Sequence, residues 1–371
     1  MKRVIATATA LAAGASTAGA GGIDRSGQGL GGLFEKGRYL ELSYGFIAPT
    51  VEGTDVAAQP TGDVAASYSQ LGFSYKYDLN DKLSFALNVD QPFGADVTYS
   101  ASSPLLGGTI AKTDTYAVTG ILRYKFNEAF SVHGGLRAQH AEGNITLNGL
   151  AYGGPPPGGL SGYNVQFAGD WAPGYLVGVA FEKPEIALRV ALTYSSKITH
   201  DFDTVERVGL GQVAPASVTD VATPQSVNLD FQTGIAKDTL LFGNIRWVDW
   251  SQFQINPVFF TGASGGGLVE LEDTTTYTLG VGRRFNENWA ASLSLTYEPK
   301  GSDPLVSPLS PIDGRYGATI GASYSMDKMK ISGGINYTWL GDGQPQTSGV
   351  GRGNMTDNTL IGVGVKVGWS F

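Results

Sequence analysis

The chain has no cysteine in 371 residues, three histidines and four methionines. Without cysteine there is no disulfide framework, no thiolate metal site and no cysteine nucleophile. The histidines, His133, His140 and His200, stand in no spacing that makes a metal site or an obvious serine-histidine pair. Beyond the first residues no apolar run approaches the ~20 that a membrane-spanning helix needs. Positive charge is also short, with 25 Lys and Arg against 33 Asp and Glu, which makes a poor nucleic-acid binder. No linker or shift in composition marks off a second folded domain.

What is present begins with an export signal. Lys2 and Arg3 precede an apolar stretch from Val4 to Ala13, and Ala18-Gly19-Ala20 offers a small-residue cleavage site, so residues 1–20 read as a signal peptide. Its removal takes away two positive charges and no negative ones, carrying the net charge from −8 to −10. At the other end, residues 361–371 alternate without a fault. Ile361, Val363, Val365, Val367, Trp369 and Phe371 would face lipid, and Gly362, Gly364, Lys366, Gly368 and Ser370 the inside of a closed sheet. A terminal Phe behind this pattern resembles the signature by which bacterial outer-membrane barrels are recognised for insertion.

The same rhythm recurs up the chain. Six tight turns fall near residues 79–82, 127–128, 182–185, 237–238, 286–288 and 326–328. Seven longer connections lie near 52–64, 100–112, 145–160, 204–221, 255–272, 300–313 and 341–357. Together they join fourteen strands, and an even count puts both termini on the short-turn side, the periplasm of an outer-membrane barrel. Strands of about ten residues suit a tilted span better than a soluble sandwich. Lipid-facing sets include Leu40, Leu42, Tyr44 and Phe46; Leu71, Phe73, Tyr75 and Tyr77; Ile186, Leu188, Val190, Leu192 and Tyr194; and Leu293, Leu295 and Tyr297. Aromatics gather in two girdles, beside the short turns and towards the loops. The proline run in 151–159 reads as a stiffened loop tip. The expected fold is therefore all-β, a 14-stranded antiparallel transmembrane β-barrel (38–371) preceded by a short N-terminal plug (21–37).

Parity also assigns an inward face rich in charge, including Glu41, Lys76, Asp90, Arg123, His133, Asp230, Glu298, Arg315 and Lys366. These either pair across the lumen or receive an anionic head group, and Arg137, Arg189 and Arg246 lie nearest mid-depth. Residues 21–37 read either as a segment folded into the lumen on Leu30, Leu33 and Phe34 or as a disordered tail. In the third strand Pro92 cannot donate to a ladder and Gly94 relaxes the backbone, so Pro92-Phe93-Gly94 marks either a break in the wall or the start of a loop. His140 has outward parity near the loop rim, where a lipid hydrolase would keep its histidine.

Several stretches resemble the FadL-type long-chain fatty acid and hydrophobic compound transporter family of the outer membrane. Ser26-Gly-Gln-Gly29 is similar to the start of that family's inward-folded plug, and Pro92-Phe93-Gly94 to its third-strand element. Pro224 to Leu229 with Trp247 to Phe253 is similar to its paired eighth and ninth strands. The family's plug is longer and carries an Asn-Pro-Ala element that residues 21–37 lack. The resemblance implies passive uptake of a hydrophobic or amphipathic small molecule, a long-chain fatty acid or aromatic hydrocarbon, through or beside Pro92, Phe93 and Gly94; Leu30, Leu33 and Phe34 of the N-terminal segment and the inward Arg137, Arg189 and Arg246 are the further candidates along that path. No cofactor or metal is expected, and the expected partners are the ligand and outer-membrane lipid, with the chain a monomer. A water-filled porin for polar solutes and an outer-membrane lipid hydrolase are the alternatives.

Overall fold

A computed structural model describes residues 23–154 and 158–371. The leader, its cleavage site and the prolines at 155–157 lie outside the described residues. The chain forms fourteen antiparallel spans: β1 Tyr39–Thr50, β2 Tyr68–Asp78, β3 Leu83–Asp90 resuming as Gly94–Thr98, β4 Ile110–Lys125, β5 Phe130–Leu147 and β6 Tyr163–Lys183. There follow β7, Leu188–Ser195 resuming as Ile198–Val208; β8, Ser217–Thr223 resuming as Ser226–Ala236; and β9, Thr239–Val248. β10 Thr274–Arg284, β11 Trp289–Glu298, β12 Arg315–Met326, β13 Met329–Leu340 and β14 Thr359–Ser370 complete the wall.

Closure is explicit, because β1 pairs with β2 (Leu42↔Phe73) and with β14 (Leu42↔Val367). A closed sheet leaves no edge, which is what lets strands stand in hydrocarbon. The alternation in β14 is the one expected: Ile361, Val363 and Val365 are exposed, while Gly362, Gly364, Lys366 and Gly368 are buried. Leu42, Tyr44, Phe46, Leu71, Leu192, Leu293, Leu295 and Tyr297 likewise point outward.

Two expected boundaries change. Ile186 belongs to a one-turn helix, Pro184–Ile186, because Pro184 cannot continue the strand. Residues 204–208 and 217–221 are paired strand rather than loop, since the Ile198↔Thr223 to Thr204↔Ser217 ladder and the Thr204↔Phe167 to Val208↔Tyr163 ladder continue beyond the outer girdle.

The parity rule also inverts midway up one side of the barrel. In β3 the buried residues run Ser84 and Ala86, then Phe93 and Val97. In β7 they change from Thr193 and Ser195 to Ile198, His200, Phe202 and Thr204, and in β8 from Ser226 and Asn228 to Thr223, Val221 and Thr219. β6 changes face through a bulge, with Ala168 and Gly169 opposite Glu142 between Ala141↔Asp170 and Gly143↔Phe167. Pro92 and Pro224 stand at two of these interruptions, where a ladder donor is missing.

The long connections pack over one mouth. Val51, Tyr99, Leu106, Tyr163, Phe260 and Leu268 belong to one buried cluster. A seven-residue helix, α1 Val258–Ser264, joins it. Its first turn is tied down by Glu206, whose carboxylate accepts from the Phe259 and Phe260 amides at 2.8 and 2.9 Å and from the Tyr163 hydroxyl at 2.7 Å. A carboxylate at a helix N-terminus satisfies amides that have no partner within the helix.

Candidate lumen site and wall break

The break in β3 is occupied by the chain's own N-terminal segment. Ladder pairing between β2 and β3 runs from Asp78↔Ser84 to Phe73↔Val89 and then stops. Beyond it Asp24 bridges Phe93. Gly94 N donates to Ile23 O at 2.9 Å, and Arg25 N and Ser26 N donate to Pro92 O at 2.9 and 3.4 Å. The segment thus supplies the partners that the interrupted strand lacks. Gly94 lets the Arg25 guanidinium lie against the strand, because a Cβ there would lie 2.3 Å from its central carbon and push it aside. Phe93, 3% exposed, packs edge-on to Trp250 at 5.6 Å, and its carbonyl and amide both bond the Thr115 hydroxyl.

Side chains fix the segment to the opposite wall. Arg246 donates to both oxygens of Asp24, at 2.6 and 3.1 Å, and to Asn228 at 3.0 Å. Arg25 reaches Asp114 at 3.3 Å and lies 4.2 Å over the Tyr68 ring. The Ser26 hydroxyl donates to Asp90 at 2.6 Å, the Ser226 hydroxyl to Gln28 at 2.9 Å and Asn228 to Gly27 O at 2.9 Å. Further along, Leu30 and Leu33 are buried with Ala86, Ile121 and Leu176. Phe34 sits between the Arg123 and Arg189 guanidiniums, at 4.5 and 4.6 Å. Burial pushes the Glu35 carboxyl above its ordinary value, although Lys330, Arg189 and Lys366 pull it down.

The structure therefore brings eight of the nine expected residues onto one segment and its supports: Leu30, Leu33, Phe34, Arg189, Arg246 and, through the backbone, Pro92 with its neighbours Phe93 and Gly94. Arg246 holds Asp24, and Arg189 also donates to Gln232 at 3.1 Å. Arg137, buried, donates through Nε to Thr119 at 3.0 Å and borders the chamber beside them. Other inward charges pair with near neighbours along the wall rather than across it. Examples are Arg315 with Glu298 and Lys366 with Glu41, each at 3.3 Å, along with Arg123 with Glu182 and Lys76 with Asp78.

Two cavities flank the segment. The larger, about 420 Å³, is of mixed character and carries the charged groups, bordered by Asp90, Arg137, Arg189, Asn228, Asp230 and Arg246 as well as by Leu30, Phe34 and Phe231. The smaller, about 70 Å³, is apolar and lies towards the loops, between Ile23, Phe93, Phe167, Phe202, Trp250 and Phe253. Asp24, Arg25, Phe167 and Phe202 were not read from the sequence as site residues. Asp24 and Arg25 stand just before the residues that carried a signal, Ser26 to Gly29 with Leu30, Leu33 and Phe34, and Phe167 and Phe202 lie beyond the parity inversions. Trp250 and Phe253 did carry a signal, in the Trp247 to Phe253 stretch. His140 stacks on Tyr116 at 4.5 Å and meets Trp171 at 5.4 Å, an aromatic packing role rather than a pairing with serine.

A family model described as outer membrane protein transport protein (OMPP1/FadL/TodX) matches residues 43–366. Among solved structures, a Pseudomonas aeruginosa FadL homologue superposes with a TM-score of 0.70 at 17% identity, covering 92% of each chain. The P. putida toluene transporter TodX gives 0.64 at 13% identity over 91% of each chain. The Ralstonia pickettii toluene transporter TbuX gives 0.62 at 14%, over 92% of this chain and 91% of its own. At such identities the likeness is one of fold. No curated protein matches the sequence.

Proposed function

Because the chain belongs to the OMPP1/FadL/TodX family of outer membrane transport proteins, we propose that it is a passive channel for compact hydrophobic molecules. The long loops face outward from the cell and the short turns and both termini face the periplasm. The observation that carries the reading is the position of the apolar cavity, set directly behind Phe93 at the interrupted third strand. A molecule held there is one strand's thickness from lipid. It leaves sideways through the Pro92 to Gly94 break and never crosses the larger chamber. Residues 23–37 act as a plug whose displacement frees that break.

The cavity favours an uncharged ligand of about one ring. Its volume of about 70 Å³ is on the order of half the ~150 Å³ void that holds benzene in an engineered protein, so small side-chain shifts suffice for a ring and not for an acyl chain. The lysine on its border, Lys112, is paired with Asp96 at 3.3 Å. A fatty acid remains the second reading through Arg137, which borders the larger chamber with a guanidinium able to take a carboxylate. Radiolabelled toluene and radiolabelled palmitate, offered to outer-membrane vesicles with and without the chain, separate the two. Faster uptake of toluene alone supports the reading, faster uptake of palmitate alone supports the second, and no difference for either overturns both.

A further inference from the structure

The wall has a further interruption, between β6 and β7. β6 and β7 pair from Lys183↔Leu188 to Leu176↔Ser195, and again from Phe167↔Thr204 to Tyr163↔Val208. Between Leu176 and Phe167, and between Ser195 and Thr204, no ladder pair joins them. The last contact below is Ser196, whose amide donates to Tyr175 O at 2.9 Å and whose hydroxyl accepts from Tyr175 N at 3.0 Å. The same number of residues is spent on each strand, so the register above equals the register below. Strands that part and rejoin in register enclose a slit, whereas a bulge would shift one past the other. Pro173, with no N–H, and the bulged Ala168-Gly169 lie on its β6 side.

Side chains close the slit. Ile198 covers Gly174, where a Cβ would lie 2.5 Å from its Cδ1. His200, fully buried and stacked on Phe202 at 5.4 Å, places Nδ1 3.1 Å from Asp170 of the facing strand, while Nε2 lies 3.4 Å from the Gln139 amide nitrogen. A neutral imidazole satisfies both contacts, donating from Nδ1 and accepting at Nε2. Immediately inside are Phe167, Phe202 and Val221, which line the apolar cavity. Outside, the barrel surface changes character at the same height. Tyr175, Val177 and Leu192 are exposed below, and Lys197, Thr199, Asp201 and Asp203 are exposed above. The slit thus lies where hydrocarbon gives way to head groups, the depth at which aromatic molecules and amphiphiles settle.

Resting on the transport reading, we propose that the β6–β7 slit is a lateral inlet, distinct from the β3 break. Small hydrophobic molecules collected at the outer-leaflet boundary pass through it into the Phe167–Phe202 cavity, and the Asp170–His200 contact is its latch. The route then has two side openings, one to each flank of a single apolar cavity.

The absence of native cysteine makes the inlet testable by labelling. Ile198→Cys places a thiol in the slit and keeps the latch, and Thr338→Cys, buried on the unbroken ladder of β13, controls for access from the lumen. Purified variants in liposomes are exposed to a pyrene maleimide dissolved in the bilayer. Ile198→Cys is expected to label several-fold faster than Thr338→Cys, and Ile198→Cys/Asp170→Ala faster again. Equal rates for Ile198→Cys and Thr338→Cys, with or without Asp170, overturn the inlet. If Asp170→Ala leaves the Ile198→Cys rate unchanged, the latch is overturned. Toluene uptake is then measured on labelled protein. A several-fold loss in labelled Ile198→Cys, with none in labelled Ala322→Cys on the outer face of β12, supports passage through the slit, and unchanged uptake overturns it. Unmodified protein that takes up no more toluene than empty vesicles overturns the transport reading instead, while the labelling rates still decide whether the slit opens.

Discussion

Single residues decide whether the N-terminal segment stays seated, and the heaviest contact is the buried pair of Arg246 and Asp24. Removing one partner of such a pair strands the other charge and costs about 3–5 kcal/mol, whereas removing both costs much less. Asp24→Ala is therefore expected to loosen the segment strongly, read as susceptibility of residues 23–37 to added protease. Asp24→Ala/Arg246→Met should recover much of the protection, and a double variant no better than the single would show that the pair does not hold the plug. A second residue-scale prediction concerns the loop cap. Burial raises the Asp55 carboxyl, but hydrogen bonds from the Ser103 hydroxyl and the Gln59, Leu105 and Ala57 amides outweigh it, so it titrates below its ordinary value. A depressed folded-state pKa adds stability that is whole above the unfolded value of about 3.9 and is lost as pH falls through the folded one. Protease resistance of the outer loops should thus fall at strongly acid pH. Asp55→Asn should start weaker and lose that dependence; an identical acid profile in the variant would rule Asp55 out as its source.

Strands were the most legible elements and also the place where reading by parity stops working. Connection lengths and the alternation in β14 follow directly from a wall with lipid on one side and a lumen on the other, so all six tight turns and all seven long connections appear in sequence. The inversions in β3, β6, β7 and β8 were not legible beyond Pro92, because a flip of face needs only a two- or three-residue interruption whose neighbours still alternate. His200 illustrates the loss: its spacing in the sequence marks it for no role, yet it is buried at the slit. For β3 the interruption has a mechanical consequence. Pro92→Ala with Gly94→Val should restore a donor and set a branched side chain in the gap beside Arg25, narrowing the break. Toluene uptake is expected to drop several-fold while the barrel keeps its heat-resistant mobility in gels. Unchanged uptake in a folded variant would exclude the β3 break as the exit.

At the scale of the whole molecule the lumen carries two closures in series, and they are made of different physics. The inner one is polar and specific, with Asp24, Arg25, Ser26 and Gln28 each bonded to a named wall residue. The outer one is an apolar cluster drawn from the long loops, with Tyr99, Leu106, Tyr163 and Phe260 at its centre. Fourteen strands enclose more space than wall side chains fill, so a chain lacking both closures would conduct like a porin. Residues 23–37 carry a local pattern of their own, whereas the loop cluster joins residues from 47 to 360 that no local pattern connects. The two closures make the porin alternative decidable. In planar bilayers the intact protein is expected to be nearly silent, and deletion of residues 23–37 should add only brief openings, because the loop cluster still covers the outer mouth. Large, steady conductance after that single deletion would mean that the segment is the sole seal. Steady conductance in the intact protein would make it a porin, with the apolar cavity a by-product of loop packing. A silent intact channel that still takes up toluene fits only a route that leaves the lumen sideways.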